Sequence, residues 1–377
     1  MGECYELTLT QNYVSDWTFC DAIRELIQNG IDQEIIDNGN EFSVDYDYNT
    51  KILKLINSKS KLSINTLLLG KSNKSNNEDT VGQFGEGYKI AALVLNRLGK
   101  TFTIFNNEKN EIWTSKFKNS EKWREKILSF YVDKVPSDNT GLIIEVKNVT
   151  SNEYSDLCDI WLGFYEEEYS LEKIETKYGD ILLNEDLKDR IFVNGLAVDC
   201  SETMEYGYNF KPKYIKLERD RKTCNSWQAR DTTSLMIAEA MVRGKLEIDT
   251  VKRLVEKNAD DVYNLEFNGF RENVSEVKKM LISEFDKQYT EPISVPVQSQ
   301  EDYNKVKAYG GNPVIVPSKV AALLKNETQA RITELISLPK VETLTLREKF
   351  QRWYDIYSSQ LRESARDELN KLINEIM

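Results

Sequence analysis

The sequence predicts an α+β protein, and three features of its first 150 residues support this prediction. Residues 16–36 repeat apolar side chains every three or four positions, which is the period of an amphipathic helix. Residues 41–57 contain two alternating segments around Asn49-Thr50, which predicts a β-hairpin. Further strands are predicted from the segments TFTIFNN, EIWTSKF and TGLIIEVKNV, which extend to about residue 149.

The predicted helix over 16–36 has two different faces. Its apolar side chains are expected to face a core, and they are Cys20, Ile23, Ile27, Ile31 and Ile35. Glu25, Asn29 and Asp32 follow one another at i, i+4 and i+7, so they share the opposite face. A polar stripe of this kind is usually solvated surface, and it indicates function only when a second motif accompanies it.

A glycine-rich segment supplies the second motif. VGQFGEGYKIAALVLNRLG, residues 81–99, places Gly82, Gly85 and Gly87 directly before an apolar run with helical spacing. Because glycine destabilises a helix or strand by about 1 kcal/mol, this clustering indicates a sharp turn or the close approach of another group. Free N–H groups at a helix start favour anions, phosphate above all. A surface turn that caps a core helix is the alternative interpretation.

The composition excludes several chemistries. The chain has 377 residues, a net charge of −12 and no histidine. This chain therefore cannot supply a Ser-His-Asp or Cys-His nucleophilic site, a histidine metal ligand or a phosphohistidine. Its acidic charge disfavours nonspecific binding of nucleic acid, because that affinity comes largely from Lys and Arg.

Cysteine spacing and hydropathy predict the compartment. The five cysteines lack C-x-x-C spacing, which is typical of reduced thiols rather than of a disulfide framework or a zinc site; they are Cys4, Cys20, Cys158, Cys200 and Cys224. No apolar run is long enough to span a bilayer, and no basic-then-apolar leader is present. We therefore expect a cytoplasmic protein without a membrane partner.

The segments ELIQNGID and GQFGEGYK, in this order and with a β-rich stretch between them, resemble the GHKL ATPases, namely gyrase B, MutL, the large heat-shock chaperone and the histidine kinases. The resemblance implies a Bergerat-type α/β sandwich, in which helices cover a mixed, mostly antiparallel sheet. It also implies that Glu25 is the general base for water, that Asn29 binds Mg²⁺, and that the glycine loop binds the phosphates of ATP. Glu25 and Asp32 resemble the hydrolase branch rather than the kinases.

The resemblance implies a longer set of binding residues. LLLGKSNKS, residues 67–75, resembles the segment that enters the family's ATP lid, where serine and lysine recur. The implied nucleotide-binding residues are Asn29, Asp32, Asn57, Ser72, Lys74, Gly82, Gln83, Phe84, Gly85, Glu86, Gly87, Tyr88 and Lys89. Asn29 is also the implied metal ligand.

Two departures concern recognition of the base. The family's D-x-G-x-G box aligns with NSKSK, so Asn57 replaces the adenine-reading Asp, and Lys59 and Lys61 replace glycines. Gly141-Leu142 stands where many members have Gly-Thr. The lysines are expected to strain the backbone if it needs positive φ there. The altered box predicts weak ATP affinity with poor discrimination against GTP, or preference for a different phosphorylated ligand.

The next region is predicted to be a transducer-like domain. SNEYSDLCDIWLGFYEEE, residues 151–168, reads as helix, and RIFVNGLAV, residues 190–198, reads as a hairpin around Asn194-Gly195. This hairpin resembles the VNG hairpin in the second domain of MutL, a type of domain that contributes a basic residue to the γ-phosphate. Within the basic segment 211–223, Lys216 and Lys222 are the candidates for that catalytic contact, and a solvated charged face is the alternative.

These features predict three domains, with residues 1–150 binding nucleotide, 151–290 forming the transducer-like domain, and 291–377 forming a small α/β unit and α-rich end. EPISVPV, residues 291–297, reads as a linker. Apolar residues of the C-terminal stripe step by three or four from Leu346 to Ile376, and either pack on their own domain or mediate a dimer.

Two functions from different classes are compatible with the sequence. The first is a slow Mg²⁺-dependent ATPase whose nucleotide state drives a conformational change or dimer closure, with a homodimer or protein partner bound through the second domain or the C-terminal helices. The alternative is a sensor or sequestering protein that holds a nucleotide-like ligand without turnover. A relation to the phage rIIA-type proteins, and with it a phage or anti-phage defence role, is a further hypothesis.

Overall fold

The computed structural model describes residues 2–68, 87–218, 222–266, 271–291, 293–337 and 346–376. They belong to two compact units, Met1–Phe285 and Asp286–Met377. The division into three domains at residues 150 and 290 stays a prediction.

The first unit contains a seven-stranded sheet. Its strands are β1 (Glu3–Thr10), β2 (Phe42–Asp47), β3 (Ile52–Asn57), β4 (Thr101–Asn106), β5 (Glu111–Asn119), β6 (Lys126–Lys134) and β7 (Leu142–Lys147). They lie in the order β1-β6-β5-β4-β7-β3-β2, and every neighbouring pair is antiparallel. The predicted hairpin over 41–57 is confirmed as β2 and β3, with Phe42 opposite Asn57.

Two helices cover this sheet, α1 (Phe19–Ile36) and α2 (Gly87–Arg97). Helix α1 begins at a capping box in which the Thr18 side chain accepts from the Asp21 N–H and the Asp21 side chain accepts from Thr18 N–H. Buried residues of both helices and of the sheet form one apolar cluster, in which Ile27 and Leu93 have no exposed surface. The predicted α+β fold, with helices over a mostly antiparallel sheet, is confirmed.

The two faces predicted for α1 differ from those observed. Ile35, predicted to be in the core, is 40% exposed because it lies in the last turn of the helix. Glu25 and Asp32 of the polar stripe are buried, so the alternative of a solvated surface does not apply to them. Another side of α1 is also covered within the first unit, since Arg24 Nη1 donates to the Ala197 carbonyl at 2.5 Å.

A second, five-stranded sheet follows in the first unit. Its strands are β8 (Lys173–Glu175), β9 (Gly179–Leu182), β10 (Ile191–Val193), β11 (Leu196–Val198) and β12 (Gly207–Phe210), in the order β11-β10-β12-β9-β8. The pair β10 and β12 is parallel and the other pairs are antiparallel. The predicted hairpin over 190–198 is confirmed, with φ of 51° at Asn194 and 80° at Gly195.

Five further helices follow β7 in the chain: α3 (Ser151–Ser155), α4 (Leu162–Glu168), α5 (Ser226–Val242), α6 (Ile248–Glu256) and α7 (Glu272–Gln288). The predicted helix over 151–168 is interrupted, because Trp161 has extended backbone angles and forms a bridge with Leu196. That bridge attaches the segment before α4 to the β10–β11 hairpin.

The second unit is mostly helical. Its strands are β13 (Ser294–Val297) and β14 (Asn312–Ile315), which pair in parallel, and its helices are α8 (Gln300–Ala308), α9 (Ser318–Leu323), α10 (Lys325–Ser337), α11 (Leu346–Tyr357) and α12 (Glu363–Ile376). The prediction of a linker over 291–297 is wrong for Ser294–Val297, because these residues form the buried strand β13. The long apolar stripe is divided between α11 and α12. In the described ranges, no helix combines the length and apolar character needed to cross a bilayer.

Candidate functional site

A cleft of about 480 Å³ lies between α1, the ends of β3 and β7, the segment after β3 and the first residues of α2. One wall is apolar and includes Leu26, Leu55, Leu142 and Ile144. The described polar residues and glycines that line the cleft are Asn29, Gly30, Gln33, Asp37, Asn57, Ser60, Lys61, Ser63, Asn65, Thr66, Gly87 and Tyr88. An apolar wall with a few convergent polar groups is typical of a small-molecule site.

Gly87, at the start of α2, lies directly against two polar residues of α1. A β-carbon added to Gly87 would lie 2.5 Å from Glu25 Oε2 and 2.8 Å from Asn29 Nδ2, which is closer than nonbonded atoms can approach. A side chain at position 87 would therefore have to displace the ends of these two side chains. The two sequence motifs thus meet in space, with the carboxylate and the amide beside the first residue of a helix.

The Asn29 side chain is oriented by its own helix. Its Nδ2 atom donates to the Glu25 carbonyl at 2.8 Å. Since Nδ2 faces that carbonyl, Oδ1 is the amide atom that points away from it. Asn29 is only partly buried and lines the cleft, whereas Asp32, one turn later, has no exposed surface.

Tyr88 and Lys89 bind the segment that precedes the glycine-rich loop. Tyr88 Oη lies 2.9 Å from Thr66 Oγ1, and burial raises the pKa of Tyr88. Lys89 is fully buried, and its Nζ donates to the Thr66 and Leu68 carbonyls at 2.9 and 2.7 Å. Tyr88 also lines the cleft. The structure therefore brings Tyr88 to the candidate site and places the Lys89 ammonium on backbone carbonyls.

Asn57 ends β3 at the bottom of the cleft and is 8% exposed. Its Nδ2 donates to the Gly30 carbonyl at 3.0 Å. A carbonyl accepts hydrogen bonds and cannot donate one, so this contact fixes which end of the Asn57 amide faces α1. Next to Asn57, Gly141 has φ of +73°, and a β-carbon there would lie 2.3 Å from the Asn57 carbonyl oxygen. Glycine at 141 thus lets β7 approach the end of β3.

The two lysines of the altered box do not strain the backbone. Neither Lys59 nor Lys61 is among the non-glycine residues with positive φ, and both are exposed. The prediction of backbone strain at these lysines is therefore wrong, because neither residue adopts the left-handed conformation. Lys61 lines the cleft and adds a positive charge there.

Several predicted residues lie outside the described residues. They are Ser72, Lys74, Gly82, Gln83, Phe84, Gly85 and Glu86, so their assignments stay predictions. Two cleft residues were missed although the helical period indicates them. Gln33 and Asp37 follow Asn29 at i+4 and i+8, line the cleft, and are hydrogen-bonded to each other.

The two lysines proposed to reach a phosphate differ in their surroundings. Lys222 Nζ donates to Asp21 Oδ1 at 2.6 Å and lies 5.7 Å from the centre of the Trp17 ring. Asp21 is one helical turn before Glu25, so Lys222 reaches the end of α1 that carries the candidate base. Lys216 is exposed and forms no ion pair with a described residue. Of the two, Lys222 is thus the one that contacts α1, and neither lysine lines the cleft.

Burial alone would raise the pKa of the Asp21 carboxyl, but hydrogen bonds from Lys222 and Thr18 outweigh it and lower the pKa. Lys222→Met should therefore destabilise the fold at pH 7, by about 0.5–1 kcal/mol because the pair is partly exposed. Because the Asp21 pKa in the folded protein is below the unfolded value of about 3.9, the ionised carboxylate stabilises the fold fully above that value. This stabilisation is lost as the pH falls through the pKa of the folded protein. The difference between variant and wild type should fade below about pH 4.

Urea unfolding of both proteins between pH 2.5 and 7 measures this effect. Lys216→Met is the matched control and should unfold like the wild type at every pH. If Lys222→Met matches the control at pH 7, the ion pair does not stabilise the fold.

Among the described residues, no group of three or more Cys, Asp and Glu side chains is placed to hold a metal ion. A Mg²⁺ ion bound largely by phosphate oxygens and water needs only one or two protein ligands. An amide oxygen such as that of Asn29 is the hard oxygen ligand that Mg²⁺ prefers, so the residues present fit an ion that arrives with a triphosphate.

Comparison with known proteins finds similarity in two parts of the chain. The family model of the Mycoplasma pneumoniae MPN635 N-terminal domain matches residues 152–241. A Mycoplasma pneumoniae protein described as uncharacterized is 27% identical over 241 residues, which cover 59% of this chain and 91% of the relative.

Solved structures give a weaker likeness. The ATPase region of Saccharomyces cerevisiae topoisomerase II matches with a TM-score of 0.31 and 10% identity, covering 47% of this chain and 62% of that chain. The ATPase and transducer domains of Balamuthia mandrillaris topoisomerase II match with a TM-score of 0.32 and 12% identity, covering 47% of this chain and 59% of that chain. The match thus spans about three fifths of each solved chain.

Proposed function

We propose that the cleft beside Gly87 binds a Mg²⁺-bound nucleoside triphosphate of the ATP type, and that the protein hydrolyses it slowly. In this proposal the nucleotide state drives a conformational change or dimer closure. The observation that carries it is the contact of Gly87 with Glu25 and Asn29, which unites the two motifs that resemble the GHKL ATPases.

The arrangement has the parts that a triphosphate needs. The apolar wall of the cleft offers a surface for a base, and the N-terminus of α2 offers backbone N–H groups and the positive end of the helix dipole to phosphate. Lys61 adds positive charge at the cleft. A carboxylate next to this helix start is suitably placed to accept a proton from a water that attacks phosphorus.

Glu25 is the proposed general base. It is 9% exposed, and its Oε2 lies against the bare Cα of Gly87. Such a buried carboxylate is held in place by its packing, so it can orient a water and accept its proton. Asn29, one turn later, would hold Mg²⁺ through Oδ1. The ion, when bound, neutralises phosphate charge.

Asn57 is proposed to contact the base. Because Nδ2 faces Gly30, Oδ1 is the atom that it can offer to a base in the cleft, and Oδ1 accepts from the exocyclic amine of adenine but not from the O6 of guanine. One neutral hydrogen bond contributes about 0.5–1.5 kcal/mol, so ATP should bind about 2- to 10-fold more tightly than GTP. Asn57→Ala should remove that preference.

Isothermal titration of wild type, Asn57→Ala and the control Asn38→Ala, at an exposed residue outside the cleft, with Mg·ATP and Mg·GTP measures the preference. Equal selectivity in wild type and Asn57→Ala would show that another residue reads the base. An ATP preference of about 100-fold or more would contradict the weak discrimination expected from a single neutral contact.

The same titration tests the proposed function. Wild-type protein should bind Mg·ATP with a Kd of about 10 μM, or about −7 kcal/mol, and binding should weaken when EDTA removes Mg²⁺. Asn29→Ala should lose this metal dependence, whereas Asn38→Ala, an exposed asparagine just after α1, should keep it. Absence of binding by the wild-type protein at millimolar Mg·ATP would refute the proposal.

A further inference from the structure

Two cysteines that are 24 positions apart in the sequence lie on two segments that are joined by an isolated β-bridge. Asp199 and Thr223 form a parallel bridge, in which Asp199 N–H donates to the Lys222 carbonyl at 2.6 Å and Cys224 N–H donates to the Asp199 carbonyl at 3.2 Å. One residue further along both segments, Cys200 lies beside Cys224. Paired residues of parallel strands direct their side chains to the same face.

The spacing of this pair suits a disulfide. Neighbouring strands are about 4.8 Å apart, and disulfides join residues whose Cα atoms are about 4.4–6.8 Å apart. Both cysteines are free thiols in the structure. Cys200 is partly exposed and Cys224 is 8% exposed, so a reagent from solvent reaches Cys200 first.

The two thiols differ in reactivity. The hydrogen bond from the Cys224 thiol lowers the pKa of Cys200 to about 6, and a backbone N–H at Glu202 and the Ser226 side chain act in the same direction against burial. The same thiol contact, together with burial, raises the pKa of Cys224. The pair thus consists of an attacking thiolate and a protonated neighbour. In the described part of the chain, no third Cys, Asp or Glu joins them to form a metal site.

We propose that Cys200 and Cys224 form a reversible dithiol–disulfide pair that reacts with low-molecular-weight disulfides such as oxidised glutathione. The Cys200 thiolate attacks one sulfur of the reagent, forms a mixed disulfide and releases one thiolate. The Cys224 thiol then loses its proton to that thiolate and attacks the Cys200 sulfur, which releases the second thiolate. Two protein thiols are oxidised to one disulfide, and one reagent disulfide is reduced to two thiols.

This disulfide would close a loop over residues 201–223, which contains Lys216 and Lys222. Lys222 is two residues before Cys224, its carbonyl accepts from Asp199, and its ammonium binds Asp21 on α1. Oxidation would therefore fix covalently the segment whose lysine reaches α1.

The test uses the reduced full-length protein in glutathione buffers of increasing oxidised fraction, followed by N-ethylmaleimide under denaturing conditions and peptide mass mapping. Wild-type protein should yield a Cys200–Cys224 linked peptide. Cys224→Ser should accumulate one glutathionyl group on Cys200, whereas Cys200→Ser should leave Cys224 unmodified. Cys4→Ser, at an exposed cysteine in β1, is the control and should form the pair like the wild type.

Alkylation provides a readout that needs no variant. At pH 7 a thiol of pKa about 6 is about 90% thiolate, against about 3% for an unperturbed thiol. Lower basicity reduces the nucleophilicity of each thiolate about tenfold, so Cys200 should react with iodoacetamide about threefold faster than an unperturbed cysteine in a model peptide. No Cys200–Cys224 peptide in wild type at full oxidation, or a glutathionyl group on Cys224 rather than Cys200, would overturn the proposal.

Discussion

Replacing Glu25 with glutamine should lower nucleotide turnover by about 10²- to 10⁴-fold and leave nucleotide binding almost unchanged. General-base catalysis typically contributes that factor, and glutamine keeps the size of the buried side chain but cannot accept the proton of water. Turnover is measured as phosphate release under saturating Mg·ATP, and binding is measured by titration with a non-hydrolysable analogue.

Glu34→Gln is the matched control for this change. Glu34 is an exposed carboxylate on the same helix, and the glutamine oxygen can still accept from the Phe42 N–H. The control should turn over ATP like the wild type. Equal rates for Glu25→Gln and wild type would remove Glu25 from catalysis, and binding without any turnover in the wild type would favour the sensor or sequestering function.

Replacing Gly87 with alanine should have the second large effect, a loss of turnover of about 100-fold. The new β-carbon would lie 2.5 Å from Glu25 Oε2 and 2.8 Å from Asn29 Nδ2, so both side chains or the start of α2 must move. A displacement of about 1 Å in a catalytic site can cost about 10²-fold in rate. The same variant should also lose affinity for Mg·ATP, because Asn29 is displaced with Glu25.

The other end of the same helix offers the control. Gly99 follows α2 with φ of +74° and open space around its α-carbon, so Gly99→Ala strains the backbone without touching the cleft. Gly99→Ala should unfold at lower urea concentration than the wild type but keep its turnover per folded molecule. Unchanged turnover in Gly87→Ala would show that the contact with Glu25 and Asn29 has no role in the chemistry.

Local patterns in the sequence were sufficient to predict the helices and strands around the cleft. The period of three to four residues predicted α1, and alternation around Asn49-Thr50 predicted the β2–β3 hairpin. Strands β1 and β6 were not predicted. Strand β1 pairs with β6 across more than 100 residues, Glu3 opposite Val132, which leaves no local turn signal. Strand β6 also pairs with β5, but residues 120–125 between them contain no Gly, Pro, Asn or Asp turn signal.

The site was predictable in part for the same reason. The resemblance of two motifs to the GHKL ATPases implied Glu25, Asn29 and Gly87, and the structure brings these three together. Spacing cannot indicate burial by other segments, which is why the buried position of Asp32 and the contacts of Lys89 with backbone carbonyls were not anticipated. Cys200 and Cys224 approach through a bridge between distant segments and carry no local spacing signal.

The most direct test of the central claim is a crystal structure with Mg²⁺ and a non-hydrolysable ATP analogue. We expect the base on the apolar wall near Asn57 and Leu142, the triphosphate at the start of α2 by Gly87, and the metal ion within ligand distance of Asn29. An analogue bound at another surface, or bound in the cleft with its phosphates away from Gly87, would contradict the account.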